Sequence, residues 1–76
     1  MNDLTVNDLQ PGDTIHFSGD VSIGSIRGVI VRVNQVTIDI LSPYMDQTLD
    51  IRVRKDKLKG KGYIQRDNEV YEVRYV

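Results

Sequence analysis

The stretch from Arg27 to Leu41, RGVIVRVNQVTIDIL, constrains the fold more than any other part of the chain. Its apolar residues fall at Val29, Val31 and Val33 and again at Val36, Ile38 and Ile40, the period of two that marks a half-buried strand. A two-residue turn at Asn34 and Gln35 sets Val33 opposite Val36, Val31 opposite Ile38 and Val29 opposite Ile40. All six then share one face, with Arg32, Thr37 and Asp39 on the other. A slip of one residue would turn the apolar set toward water, so the pattern predicts the pairing as well as the strands.

With 76 residues the chain makes a single domain, residues 1–76. A domain this small buries only about 60% of its unfolded surface, which leaves room for one thin core and little for a deep catalytic cleft. There is no cysteine, which excludes disulfides, thiolate metal sites and cysteine nucleophiles. No basic and apolar leader is visible at the N-terminus, and no apolar run nears the roughly 18 residues of a membrane span. The expectation is a cytoplasmic protein without membrane contact.

The remaining segments read as further short strands. Leu4, Val6 and Leu9 are the only apolar side chains in the lead-in after Met1, which has room for one helical turn whose Val6 and Leu9 plug an end of the core. Pro11-Gly12-Asp13 forms a turn, and Thr14 to Ser18 follows as a strand with Ile15 and Phe17 inward. Gly19 to Ser25 reads as a loop, and Gly28 as a bend or bulge in the next strand. After a break over Ser42 to Gln47, Thr48 to Arg54 alternates with Leu49, Ile51 and Val53 inward. Lys55 to Gly62 is a short helical turn held by Leu58 and then a loop. The stretch from Tyr63 is a terminal hairpin turning at Asp67-Asn68, with Arg66 opposite Glu69. Five to six short strands with regular turn signals and no long helix predict an all-β domain, a small antiparallel barrel or strongly bent sheet.

Leu9-Gln10-Pro11-Gly12-Asp13-Thr14-Ile15, then Gly19, Gly24, Gly28-Val29-Ile30 and Val33, resembles the opening of SH3-like barrels of the KOW type, over residues 9–40. The resemblance implies an SH3-like barrel of that kind. KOW domains that contact ribosomal RNA usually carry basic residues in the first loop, where this chain has Asp20 and no basic residue before Arg27. Type II dihydrofolate reductases, small SH3-like barrels that do catalyse, carry a Val-Gln-Ile-Tyr pore motif that this chain lacks.

Charge is unevenly spread. Met1 to Asp50 has a net charge of -5 and Ile51 to Val76 one of +4, within a total of -1. The candidate surface is therefore residues 52–66, RVRKDKLKGKGYIQR. Arg52, Arg54, Lys55, Lys57, Lys59, Lys61 and Arg66 can displace counterions from phosphates there, and Tyr63 can stack on a base. The plainer explanation is a solvated edge guarded by charge. His16 faces outward with no second metal ligand at ligand spacing. Asp39, Asp46 and Asp50, and likewise Asp13 and Asp20, sit where turns and edges favour aspartate. Tyr44, Tyr63, Tyr71 and Tyr75 can serve interface contacts or barrel-end packing.

No catalytic residue, metal site or cofactor is indicated, so the functional expectation is a non-catalytic module that contacts RNA, DNA or a nucleoprotein through 52–66. The alternative is a protein-interaction or assembly module with no nucleic-acid role, of a size that suits a bacterial or phage accessory protein.

Overall fold

In the computed structural model, which describes residues 3–18 and 25–75, the chain is all-β. Seven strands form one sheet: β1 (Asp3–Thr5), β2 (Thr14–Ser18), β3 (Ile26–Val33), β4 (Thr37–Tyr44), β5 (Gln47–Arg54), β6 (Lys61–Arg66) and β7 (Glu69–Arg74). Their order in space is β1-β7-β6-β2-β3-β4-β5. The expected five to six strands are thus seven. The sheet is mixed because β1 lies parallel to β7, while every other pair is antiparallel. The ladder is open, with β1 at one end and β5 at the other, and does not close into a hydrogen-bonded barrel. It is nonetheless strongly bent. Val6 and Asn7, just after β1, line one groove with Arg54 and Lys55, at the end of β5, although β1 and β5 stand at opposite ends of the strand order.

The bend encloses one core. Ile15, Phe17, Ile30, Ile38, Ile40, Leu58 and Ile64 are essentially without solvent exposure, and Val6 and Leu9 close one end as expected. Two 3-10 turns carry the non-strand anchors. Val6–Asp8 is capped by Thr5, whose hydroxyl accepts from the Asn7 amide at 3.2 Å while the Asp8 carboxylate accepts from the Thr5 amide at 2.9 Å. Lys55–Lys57 delivers Leu58 to the core, the short turn that the lysine-rich segment predicts.

β2 spans Thr14–Ser18 with Ile15 and Phe17 buried, as the alternation requires. The terminal hairpin also follows the expected register, Arg66 opposite Glu69, and Asp67 and Asn68 both adopt the positive φ that such a tight turn demands. Gly62 on β6 lies under the Phe17 ring, in space a Cβ would occupy.

The central hairpin departs from its predicted register. Val33 pairs with Ile38, not Val36, and the turn residues are Gln35 and Val36, closed by the Asn34 amide donating to the Thr37 carbonyl at 2.8 Å. The register shifts between Ile30 and Arg32, so Val31 is an extra, bulged residue. Before the bulge the inward residues are Ile26, Gly28 and Ile30, and Val29 and Val31 face solvent, the reverse of the expected face. Gly28 is not the bulge. It is buried where a Cβ would strike the Leu41 carbonyl, at a φ of 157° that suits glycine. Val36 is likewise exposed, whereas Ile38 and Ile40 are buried as expected. On β5, Val53 is buried, Ile51 half-buried and Leu49 more exposed than its inward position implies. The loop expected over Gly19 to Ser25, including Asp20, lies outside the described residues except for Ser25.

One ion pair joins distant parts of this architecture. Arg66 donates from Nε to Asp13 Oδ1 and from Nη2 to Asp13 Oδ2, both at 2.8 Å, and Nη2 also reaches the Asp8 carbonyl at 2.9 Å. The Gln10 amide donates to Asp13 Oδ2 at 2.8 Å, and the Asp13 side chain is only 2% exposed. Asp13→Ala strands a largely buried guanidinium and a backbone amide. The expected cost is about 3–5 kcal/mol, read as a lowered urea midpoint at unchanged m-value. A loss below about 1 kcal/mol would show that the pair behaves as a surface contact.

Candidate functional site

Strand parity decides which of the predicted site residues can act together. On β6, Gly62 and Ile64 point into the core, so Lys61, Tyr63 and Gln65 point out. Arg66 follows the inward parity and is consumed by Asp13; its guanidinium also lies 5.7 Å from the Tyr71 ring centroid. Glu69, although opposite Arg66 in register, instead accepts a hydrogen bond from the Tyr71 hydroxyl at 2.9 Å, which raises the Tyr71 pKa above its ordinary value.

Arg52 and Arg54 lie on the outer face of β5, far along the sheet order from β6, and each has a carboxylate. Arg52 Nε donates to Asp39 Oδ1 at 2.8 Å and Nη2 to Oδ2 at 3.3 Å, directly across the β4–β5 register. Arg54 reaches Asp56 at 3.3 Å. Asp39, Arg52, Arg32 and Asp50 line an open groove of about 550 Å³ with Val31 and Ile51, in which both signs of charge alternate. The carboxylates therefore do not gather as a cation site, and no cluster of metal-ligating side chains occurs among the described residues.

The lysines behave differently. Among the described residues no carboxylate lies within ion-pair distance of Lys55, Lys57, Lys59 or Lys61. Lys59 instead places Nζ 5.2 Å from the Tyr75 ring centroid, a cation–π contact at the end of β7. Lys61 and Tyr63 share the outer face of β6, and Tyr63 is 48% exposed. Across the sheet Tyr63 stands opposite His16, and His16 opposite Arg27, both exposed. The predicted set thus divides. Lys57, Lys59, Lys61 and Tyr63 remain available, Lys55 is half-buried, and Arg52, Arg54 and Arg66 are engaged by carboxylates.

His16 and Arg27 join that face although sequence reasoning left them out. The signal was present in their outward parity on β2 and β3, but their meeting with Tyr63 depends on β6 crossing to pair with β2, which local periodicity does not encode. A second, smaller groove of about 200 Å³ lies where the two ends of the sheet approach, between Val6 and Asn7 on one side and Val36, Arg54 and Lys55 on the other. Tyr75 lines it; the Tyr44 side chain lies outside the described set. Among the described residues no helix is long and apolar enough to cross a membrane.

The Arg52 guanidinium holds the Asp39 carboxyl below its ordinary pKa, first through the hydrogen bond and then through its charge, and Arg54 does the same for Asp56. A carboxyl that gives up its proton more readily when folded stabilises the fold above the ordinary carboxylate range, and this contribution is lost as pH falls through the lowered value. In an NMR titration Asp39 should ionise below the usual aspartate value near 3.8. Arg52→Gln should move its midpoint upward, and an unmoved midpoint would assign the shift to another neighbour. Compared with protein-family models, curated proteins and solved structures, the chain matches none.

Proposed function

We propose that this chain is a non-catalytic, SH3-like binding module of the KOW kind that takes single-stranded RNA or DNA on the outer face of β6, β2 and β3. The observation that carries the reading is Tyr63, a half-exposed ring on an open sheet face, directly opposite His16 and two residues from Lys61. An aromatic ring on such a face offers a stacking surface for an unpaired base, and bases of any identity present a π-face to it. Lys57, Lys59 and Lys61 supply the charge that displaces counterions from the backbone, and Arg27 extends it at the far end of the row. The small net charge of the chain does not oppose this, because a carboxylate holds each arginine of the segment, while Lys57 and Lys59, although near enough to Asp56 to lower its pKa, make no ion pair among the described residues.

A single-stranded oligonucleotide followed by fluorescence anisotropy tests the proposal. Affinity should fall as salt rises, with a log–log slope of about -2 to -3, given roughly 0.7 per phosphate neutralised on a single strand and three lysines with or without Arg27. Tyr63→Ala should weaken binding about tenfold or more, the cost of one lost base stack. Exchanging Lys57, Lys59 and Lys61 together for glutamine should flatten the salt slope, while Arg54→Gln should change affinity by less than about twofold, since that guanidinium is already paired. Salt-independent binding, or equal losses from the arginine and lysine variants, would overturn this assignment.

A further inference from the structure

β5 is the last strand of the sheet, and among the described residues its outer edge has no partner. The strand is eight residues long, contains neither proline nor glycine, and pairs with β4 in an unbroken register from Thr37–Arg54 to Tyr44–Gln47. Natural sheets usually blunt such an edge with charged side chains, a proline, a bulge or a very short strand. β5 has no proline, no bulge and no short length, and its charges, Asp50, Arg52 and Arg54, are of both signs, so they oppose a copy of the strand in some registers and not in others.

The backbone phase of the edge follows from one hydrogen bond. The Lys55 amide donates to the Val36 carbonyl at 2.8 Å, which makes Val36 and Lys55 a hydrogen-bonded pair. Because such pairs alternate along an antiparallel ladder, Val53, Ile51 and Leu49 direct their amides and carbonyls toward β4. Thr48, Asp50, Arg52 and Arg54 direct theirs off the edge. The same four residues carry their side chains on the outer face of the sheet.

We propose that this edge pairs antiparallel with β5 of a second copy of the chain about a two-fold axis at Ile51. Three symmetric registers near the strand centre bring the free amides and carbonyls into phase. An axis at Asp50 opposes Asp50 to its own copy, and an axis at Arg52 opposes Arg52 to its own copy. Like charges directly across a ladder are destabilising. The axis at Ile51 instead places Asp50 of each copy opposite Arg52 of the other, where the guanidinium, whose Nε and Nη2 already donate to Asp39, has its Nη1 donors left for a second carboxylate. Its inner face aligns Leu49 with Val53 and Ile51 with Ile51, so the exposed Leu49 side chain gains an apolar neighbour at the rim of the core. Of these three in-phase registers, this one alone is also self-complementary in charge. An isologous interface of this kind closes at two subunits. The inference does not depend on nucleic-acid binding, since β5 lies outside the proposed face.

Sedimentation velocity of the purified chain, without nucleic acid, should show a concentration-dependent dimer. Asp50→Arg should weaken self-association about tenfold or more by opposing arginine to arginine twice. Asp50 makes no ion pair among the described residues, so that variant should keep its strand circular dichroism. Mixed in equal amounts with Arg52→Asp, it should form a heterodimer that neither forms alone.

Arg52→Asp also leaves Asp39 without its partner, so the register has a second test independent of that variant. In this chain without native cysteines, Ile51→Cys should cross-link on oxidation, because a non-hydrogen-bonded pair brings Cα atoms to about 4.5 Å, within disulfide range. Leu49→Cys should not, since four residues of offset along the strand separate the two copies by about 13 Å. A wild-type chain monomeric to millimolar concentration, an Asp50→Arg dimer of unchanged strength, or cross-linking through Leu49→Cys as fast as through Ile51→Cys would overturn the proposal.

Discussion

The Asp13–Arg66 pair is the contact on which the orientation of the outer face of β6 depends. Removing a carboxylate and a guanidinium from water is costly, and the cost is offset only when the geometry satisfies both groups. Here both carboxylate oxygens accept from the guanidinium, the Gln10 amide adds a third bond, and the Asp8 carbonyl takes a remaining guanidinium donor. The backbone of the same turn is also engaged, the Gly12 amide donating to the Ile30 carbonyl and the Ile30 amide to the Asp13 carbonyl, each at 2.8 Å. A single residue thereby ties the first turn to β3 and to the end of β6. With Arg66 pinned inward, Ile64 and Gly62 must also point inward. Lys61 and Tyr63 are then committed to solvent.

The fold was legible in the sequence wherever one parity alone was apolar. Thr14 to Ser18 is of this kind, and the hairpin at Asp67-Asn68 was legible from its turn-tolerant residues although Tyr63 and Val70 are exposed on the outer parity. β3 is not of this kind. Ile26, Val29, Ile30, Val31 and Val33 place apolar side chains on both parities, so a valine-only alternation and an isoleucine-based one fit equally well before packing is considered. Packing decides for Ile26 and Ile30, which bury more surface, and it requires a residue without a side chain between them because the Leu41 carbonyl occupies that space. The bulge at Val31 then restores Val33 to the inner side and keeps Arg32 outside. A pattern that changes phase within one strand cannot be read from a single period.

The candidate site was legible in part for a chemical reason. Counting basic residues over 52–66 treats arginine and lysine alike, yet a planar guanidinium matches a carboxylate with two parallel donors, whereas an ammonium is a strongly hydrated point charge on a flexible stem. The structure separates them accordingly. Within 52–66, Arg52, Arg54 and Arg66 each meet a carboxylate and none of the lysines does so among the described residues, while Arg27 and Arg32 on β3 make no ion pair among them either. The Asp39–Arg52 pair requires knowing that β4 and β5 place those residues opposite one another, and Asp13–Arg66 spans most of the chain. Long-range register, which composition does not carry, is what converts a basic segment into three spent arginines and a smaller lysine-and-tyrosine surface.

The two ends of the open sheet are terminated by different means, and the difference follows from their sequences. β1 has three residues, and its backbone leaves the sheet at once into the turn capped by Thr5 and Asp8, so little unpaired backbone remains for another strand to follow. Its Asp3 is held by Arg74 of the neighbouring strand at 3.5 Å. β5 continues for eight residues before the Lys55–Lys57 turn ends it, and its exposed charges, Asp50, Arg52 and Arg54, are of both signs instead of sharing one. An edge of uniform charge repels a copy of itself in every register. One that carries Asp50 and Arg52 two residues apart repels its copy in some registers and attracts it in another, so the same charges that would deter indiscriminate sheet extension select a single symmetric partner.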